Sequence, residues 1–128
     1  MKLIVYGTLM RGESNHHMMR LCGMEGAEYL GDVSVPNAVL YDLGGYPGLK
    51  FLPIGNDYNK VQAELYRVSE KHLDELDRFE GVPTLYDRIE CEYEIHDDWG
   101  RAYIYEYQRD TYEPHMPNGD WKKRHMLP

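Results

Sequence analysis

One carboxylate, Glu80, lies on the apolar stripe of a predicted amphipathic helix that spans residues 70–80. At about 100° per residue, Leu73, Leu76 and Phe79 mark one face of that helix, and Glu80 projects between the first two. A carboxyl group in an apolar setting has a raised pKa, which is what a general base working near neutral pH requires. The pattern therefore makes Glu80 a candidate acid/base.

The position of Glu80 at the end of its helix leaves a second interpretation open. Gly81 can take the left-handed cap conformation and Pro83 cannot continue a helix, so the helix is expected to end at Glu80. A glutamate at a frayed helix end can instead extend into water and take no part in chemistry. Glu64 is the next candidate for the acid/base, and its alternative role is a paired carboxylate within a strand.

A loop with glycine at both ends, residues 7–12, follows a predicted first strand from Lys2 to Tyr6. Backbone N–H groups at such a strand-to-helix turn form a concavity that binds anions such as a carboxylate. The same glycine spacing occurs in plain connections, and the loop lacks the Lys-Ser or Lys-Thr of a Walker motif. The loop is therefore a candidate anion site whose chemistry depends on its neighbours.

Other catalytic arrangements lack their sequence signatures. The adjacent His16 and His17 diverge by about 100° on a helix and cannot readily share a metal ion, and no His-x-x-x-His pair falls on a predicted helix. The serines lack a Gly-x-Ser-x-Gly elbow, and Cys22 and Cys91 fit neither a zinc pattern nor a disulfide framework. The sequence predicts no metal site and no cofactor.

Composition narrows the class of partner and the compartment. The chain has 128 residues, with 14 basic and 22 acidic side chains and a net charge of -8. This charge repels phosphate backbones and anionic lipids, so we expect no nucleic acid or membrane partner, and a cationic or neutral small substrate fits better. Two free thiols, with an N-terminal apolar run too short for a signal peptide or a transmembrane helix, predict a cytoplasmic protein. Composition does not determine the oligomeric state.

The first half of the chain predicts short strands joined by glycine-rich turns. Ser14 or Asn15 could cap a short helix through Leu21. Residues 29–33 and 38–42 are predicted to form a pair of strands. A glycine-rich turn follows at 44–48, and a further hairpin is expected around 55–57.

The second half predicts a strand over 61–68 and a hairpin of strands 89–95 and 101–107 with its turn at 97–100. Alternation in the last strand places three tyrosines on one face, Tyr103, Tyr105 and Tyr107. The tail over 110–128 is polar and has little periodicity. About six short strands and two credible helices predict an α+β fold, a small, mostly antiparallel barrel with helices packed outside. The length predicts a single domain over 1–128.

Two segments carry a resemblance to a known family. Residues 5–16, VYGTLMRGESNH, are similar to the Tyr-Gly-Thr-Leu opening of the gamma-glutamylcyclotransferase-like superfamily, and residues 79–88, FEGVPTLYDR, resemble its second signature. Their combination is most similar to the gamma-glutamylamine cyclotransferase branch, and comparable segments cover nearly the whole chain. Ala63 stands where many relatives have Gly, which bears on the size of the substrate.

The resemblance implies a mixed β-barrel with flanking helices and a cofactor-free reaction in which Glu80 is the acid/base. The α-amine of a γ-glutamyl amine attacks its own γ-carbonyl and releases 5-oxoproline and a free amine. Under this hypothesis six residues surround the substrate: Tyr6, Gly7, Thr8, Leu9, Tyr86 and Tyr105. The loop N–H groups hold the substrate carboxylate or the developing oxyanion, and the tyrosines complete the wall.

Two questions stay open at the level of the sequence. A non-catalytic module that binds a small ligand in the same pocket is the alternative to an enzyme. The leaving amine is also undefined. Carboxylates at positions 90, 92 and 94 weakly favour a cationic amine, such as a lysine side chain or a polyamine, over the anionic glycine end of glutathione. The same charges could equally serve only to keep the protein in solution.

Overall fold

The computed structural model describes residues 1–20, 26–111 and 113–125. These ranges contain seven strands, one α-helix and two short 3-10 helices, His16–Arg20 and Trp121–Lys123. In chain order the strands are β1 (Lys2–Val5), β2 (Glu28–Pro36), β3 (Ala38–Asp42), β4 (Pro47–Phe51), β5 (Lys60–Arg67), β6 (Tyr86–Ile95) and β7 (Asp98–Tyr107). The helix α1 (Glu70–Glu80) connects β5 to β6.

Five of these strands close into a barrel in the order β1-β5-β2-β6-β7. The closing pair, β1 and β7, is parallel and the other pairs are antiparallel. The predicted α+β class with a small mixed barrel is therefore confirmed. The barrel has five strands rather than about six, because β3 and β4 form a separate two-stranded sheet. In the described ranges, a 3-10 helix takes the place of the second flanking helix that was expected.

The predicted pairing of segments 29–33 and 38–42 is wrong. β2 pairs with β5 and β6 instead, which places Val33 opposite Ala63, while β3 pairs with β4. The hairpin predicted around residues 55–57 is also wrong, since β4 and β5 are not neighbours in a sheet. Alternation identifies a strand and its buried face, but the partner is set by which strands close the barrel.

Helix α1 has the bounds that the sequence predicted, and Gly81 ends it with a left-handed φ of 70°. At its start, the Ser69 hydroxyl accepts a hydrogen bond from the N–H of His72 at 3.1 Å. Leu76 is fully buried, but Phe79, which the pattern placed on the same apolar face, is 43% exposed. The buried part of the apolar stripe therefore ends before the helix does.

The β6–β7 hairpin turns at residues 96–97, so β7 begins earlier than predicted. As alternation predicted, one face of β7 carries three tyrosines, Tyr103, Tyr105 and Tyr107. Asp77 of α1 joins the helix to this face. Its carboxylate accepts hydrogen bonds from Arg88 Nε at 2.9 Å and from the Tyr105 hydroxyl at 2.7 Å. This contact fixes the last turn of α1 against the barrel.

The polar tail also packs onto the barrel, although its sequence has little periodicity. The N–H of Gln62 donates to the Gly119 carbonyl at 2.7 Å. Trp121 is 1% exposed and belongs to the core. The tail is therefore an integral part of the fold rather than an appendage.

The short helix predicted through Leu21 begins as the 3-10 helix His16–Arg20, and Leu21 and Cys22 lie outside the described residues. The second cysteine, Cys91, is a buried free thiol. Among the helices that the structure describes, none is long and apolar enough to cross a membrane.

Candidate active site

A cavity of about 280 Å³ opens where β1 ends, between the glycine-flanked loop, the end of α1 and the β3–β4 turn. This volume lies near the lower end of the range for small-molecule sites, about 300 Å³. The lining includes all seven residues that the sequence analysis singled out: Tyr6, Gly7, Thr8, Leu9, Glu80, Tyr86 and Tyr105. Of the lining residues that the structure describes, only Glu80 carries a charge.

Glu80 is half-buried at the C-terminal end of α1. Burial raises the pKa of Glu80 to about 7, and no hydrogen bond or opposite charge from the described residues offsets this shift. Near neutral pH, both the carboxylate and the carboxylic acid are therefore populated. A group with this pKa can take a proton from one atom and return it to another.

The loop after β1 is held in shape by its own side chains. Asn15 donates from its backbone N–H to the Thr8 carbonyl at 2.9 Å and from its side chain to the Thr8 hydroxyl at 3.0 Å. Within the described ranges, no group accepts a hydrogen bond from the N–H groups of Gly7, Thr8 or Leu9. A loop with such unpaired N–H groups is of the kind that can bind an anion.

Glycine is required at position 7 because another segment of the chain lies very close to it, and not because of its backbone conformation. A Cβ at this position would come within 2.5 Å of Pro47 Cγ, at the start of β4. Gly12, at the other end of the loop, has a φ of 81°, a conformation that favours glycine. The two glycines that flank the loop therefore serve different purposes.

Three tyrosine rings form the cavity wall, and hydrogen bonds hold each hydroxyl group. Tyr6 donates to the Tyr105 carbonyl at 2.6 Å and accepts from the N–H of Leu49 at 3.2 Å. Tyr86 donates to the Pro47 carbonyl at 2.6 Å, and the Tyr105 hydroxyl binds α1 as described above. Burial raises the pKa of all three tyrosines, so they stay neutral and act as fixed walls.

Glu64, the other candidate acid/base, lies outside this cavity on β5. Its carboxylate is 2% exposed and accepts hydrogen bonds from the Arg11 N–H at 2.9 Å, the Tyr66 hydroxyl at 3.0 Å and Lys122 Nζ at 3.2 Å. Burial alone raises the pKa of Glu64, but these donors outweigh it and the pKa is lowered. Glu64 therefore anchors the loop through Arg11. Its neighbour Ala63 is buried and is not part of the cavity lining in the described structure.

The acidic face of β6 lies away from the cavity. Glu90 and Glu92 face Arg101 at 3.7 and 3.9 Å, and Glu94 binds Lys60 at 3.1 Å. None of these carboxylates is part of the cavity lining in the described residues. The weak charge argument for a cationic leaving amine therefore loses its geometric basis.

Several lining residues were not singled out as site residues by the sequence analysis: Ser14, Asn15, Gly45, Tyr46, Pro47, Phe79 and Leu85. The glycine-rich turn over 44–48 was recognised only as a turn. Its role in the site depends on the β3–β4 hairpin folding over the end of β1, and local sequence does not report that contact.

The fold has solved relatives. An AIG2-like protein from Mus musculus has a TM-score of 0.76 to this chain, with 26% identity, covering 93% of this chain and 87% of that chain. This likeness shows that the chain has the fold of an AIG2-like protein.

Sequence comparison identifies the family. The model of the family described as Gamma-glutamyl cyclotransferase, AIG2-like matches residues 3–123. A Vibrio cholerae protein that is named as a gamma-glutamylcyclotransferase is 38% identical over 125 residues, which cover 95% of this chain and 96% of that protein. The gamma-glutamylcyclotransferase family protein YtfP of Escherichia coli K12 is 36% identical, and the match covers 97% of this chain and 98% of that protein. The gamma-L-glutamyl-butirosin B gamma-glutamyl cyclotransferase of Niallia circulans is 34% identical, and the match covers 94% of this chain and 75% of that protein. The chain belongs to the gamma-glutamyl cyclotransferase, AIG2-like family and is an enzyme of that class.

Proposed function

We propose that this enzyme releases 5-oxoproline and a free amine from a γ-glutamyl amine or amide, with Glu80 as the general acid/base. The observation that carries the proposal is one cavity that contains both Glu80, whose pKa burial raises to about 7, and the loop donors of Gly7, Thr8 and Leu9. A relative named for gamma-glutamyl cyclotransfer from gamma-L-glutamyl-butirosin B supports a γ-glutamyl substrate.

The reaction needs no nucleophile from the protein, because the substrate supplies its own. The α-nitrogen attacks the γ-carbonyl carbon, a C–N bond forms, and the bond to the leaving nitrogen then breaks. Overall, two protons pass from the α-ammonium to the leaving nitrogen, so that a lactam N–H remains and the leaving group departs as an ammonium. Glu80 takes a proton from the attacking nitrogen and returns it to the leaving nitrogen.

The rest of the cavity positions the substrate. The N–H groups of Gly7, Thr8 and Leu9 hold its carboxylate or the oxyanion that develops on the γ-carbonyl. The rings of Tyr6 and Tyr86, with that of Tyr105, keep the substrate folded and exclude water. Holding the amine close to the carbonyl in an attack-ready conformer can supply several kcal/mol.

The direct test is release of 5-oxoproline by the purified protein from a panel of γ-glutamyl amides. We expect release from at least one amide, with and without EDTA, and a fall of about 100-fold or more in Glu80→Gln. Glu75→Gln, an exposed glutamate on the same helix, is the matched control and should retain activity. Normal turnover by Glu80→Gln would remove Glu80 from its role. A γ-glutamyl ligand that stabilises the protein thermally yet is recovered unchanged would favour a binding module.

A further inference from the structure

Two half-exposed aromatic rings, Tyr46 and Phe79, line the mouth of the cavity. Tyr46 is 41% exposed and Phe79 is 43% exposed, whereas the wall tyrosines Tyr6, Tyr86 and Tyr105 are 6% exposed or less. Large apolar side chains left open at the rim of a concave site indicate a surface that a ligand covers.

Both rings are carried by ordered elements. Tyr46 lies in the β3–β4 turn, where its carbonyl accepts a hydrogen bond from the N–H of Leu43 at 2.9 Å. The Asp42 carboxylate accepts the N–H of Gly44 in the same turn at 3.0 Å. Phe79 is on the last turn of α1, which the Asp77 contacts hold against the barrel. The backbone that carries each ring is therefore held in place at the edge of the cavity.

The charges near this surface do not suit an ionic ligand group. Glu80 is the only charged residue among the described residues of the lining, and it faces the reacting end of the substrate in the proposed reaction. Arg78, the neighbour of Phe79, forms an ion pair with Glu75 along the helix. A fixed charge on the leaving amine would find no counter-ion in the described lining, whereas an apolar group would cover the two rings.

We propose that Tyr46 and Phe79 form the leaving-group subsite and that it selects γ-glutamyl amides whose amine portion is uncharged and apolar. An aromatic amine or a long alkyl amine belongs to this class. The inference rests on the proposed function, because the γ-glutamyl end must occupy the loop and Glu80 for the amine portion to reach the mouth.

The first experiment measures binding rather than turnover. Calorimetry on Glu80→Gln would compare three amides of γ-glutamate, formed with phenethylamine, with cadaverine and with glycine. These amine portions are respectively apolar, cationic and anionic. We expect the phenethyl amide to bind at least about tenfold more tightly than either charged amide, which is the discrimination that burying a few apolar carbons supplies. Raised salt should not weaken this preference, because no ion pair carries it.

The second experiment assigns the preference to the two rings. Phe79→Ala and Tyr46→Ala, each made in the Glu80→Gln background, should bind the phenethyl amide several-fold to about tenfold more weakly. Phe79→Leu should keep most of the preference, because it stays apolar. Tyr58→Ala, a tyrosine that is 79% exposed and not in the described lining, is the matched control and should bind normally. Thermal unfolding of each variant checks that it is folded.

The outcomes separate the subsite from the reaction. Equal binding of the three amides overturns the inference. The inference is also overturned if the cadaverine amide binds most tightly and its preference weakens in salt and disappears in Phe79→Leu. That result would indicate that a cation lies over the rings. If the wild-type protein releases no 5-oxoproline while Glu80→Gln keeps its preference for the phenethyl amide, the subsite stands and only the proposed reaction fails.

Discussion

Glu80 shows how one physical cause, burial, determines both a chemical property and a cost in stability. The pKa of Glu80 is raised from 4.5 to about 7 in the folded protein. Between those pH values, the folded state binds more protons than the unfolded state, so stability falls as the pH rises. Above about pH 7 the whole cost is present, up to about 3 kcal/mol.

A substitution of this residue should therefore raise stability while it removes activity. Glu80→Gln is uncharged at every pH, and we expect its free energy of unfolding to exceed that of the wild type at about pH 8 and to match it at about pH 4. Urea denaturation at the two pH values measures the difference, with Glu75→Gln as the matched control. Equal stability of wild type and Glu80→Gln at about pH 8 would contradict the raised pKa.

Glu64 should behave in the opposite way, because its pKa is lowered by the donors around it. We expect Glu64→Gln to lose about 1–3 kcal/mol of stability at neutral pH, since its amide cannot accept the hydrogen bonds from Arg11, Tyr66 and Lys122 as the carboxylate does. The loss should shrink as the pH falls through the folded pKa of Glu64, because the wild-type carboxylate is then protonated. KM should rise, since Arg11 loses its anchor for the loop.

Urea denaturation at about pH 7 and about pH 3, together with KM for a γ-glutamyl amide, tests this prediction. Glu90→Gln, which removes an exposed carboxylate on β6, is the control and should change neither quantity by more than the small effect of a surface ion pair. A stability difference for Glu64→Gln that does not depend on pH would count against the ionised form of Glu64 as the anchor.

At the scale of elements, the site depends on how closely the loop after β1 approaches the start of β4. Gly7→Ala places a Cβ within 2.5 Å of Pro47 Cγ, so the loop or the start of β4 must move. We expect kcat/KM to fall by up to about 100-fold, since displacements near 1 Å have such effects on orientation. Gly26→Ala, whose Cβ would lie at an ordinary 3.5 Å from the Met19 carbonyl, should retain activity. Steady-state release of 5-oxoproline by the two variants makes the comparison, and equal rates would show that the approach is not needed.

At the scale of the whole molecule, the tail completes the core. A Cβ at Gly119 would lie 1.9 Å from the Lys60 carbonyl oxygen, so the tail backbone lies directly on β5. Trp121 then fills the core with only 1% of its surface exposed. We expect Trp121→Ala to lose about 3–5 kcal/mol of stability, the usual cost of such a truncation in a core. Trp99 is 56% exposed, so Trp99→Ala should lose little stability. Urea denaturation measures both variants. Similar losses at the two positions would contradict the packing of the tail.

The single domain over 1–128 stays a prediction, and the Trp99→Ala variant offers a way to test it. The chain has two tryptophans, so in Trp99→Ala the tryptophan fluorescence, excited selectively over that of the tyrosines, comes from Trp121 in the tail alone. In a single domain, the fluorescence and the far-UV circular dichroism should change at the same denaturant concentration. Separate transitions would indicate that the tail unfolds on its own.

Two other predictions from composition are unaffected by the fold. Burial raises the pKa of the Cys91 thiol to about 12, so this group is unreactive whatever the compartment. The cytoplasmic location therefore stays a prediction, and so does the expectation that the net charge of -8 excludes nucleic acid.

The sequence by itself determined the features that depend on neighbours along the chain. The bounds of α1, its glycine cap and the position of Glu80 at its end follow from periodicity and capping within residues 70–83. The alternating faces of β6 and β7 follow from the two-residue repeat of a strand. The two motifs that resemble the family are likewise continuous segments, and the family comparison confirmed that resemblance.

Only the tertiary structure decided the features that join distant parts of the chain. Barrel closure chose β5 and β6 as partners of β2 and left β3 to pair with β4, which carried Tyr46 to the cavity. Tertiary packing also left Phe79 exposed and surrounded Glu64 with donors from the loop after β1 and from the tail. A local pattern states which face of an element is apolar, but what covers that face is set by packing across the whole chain.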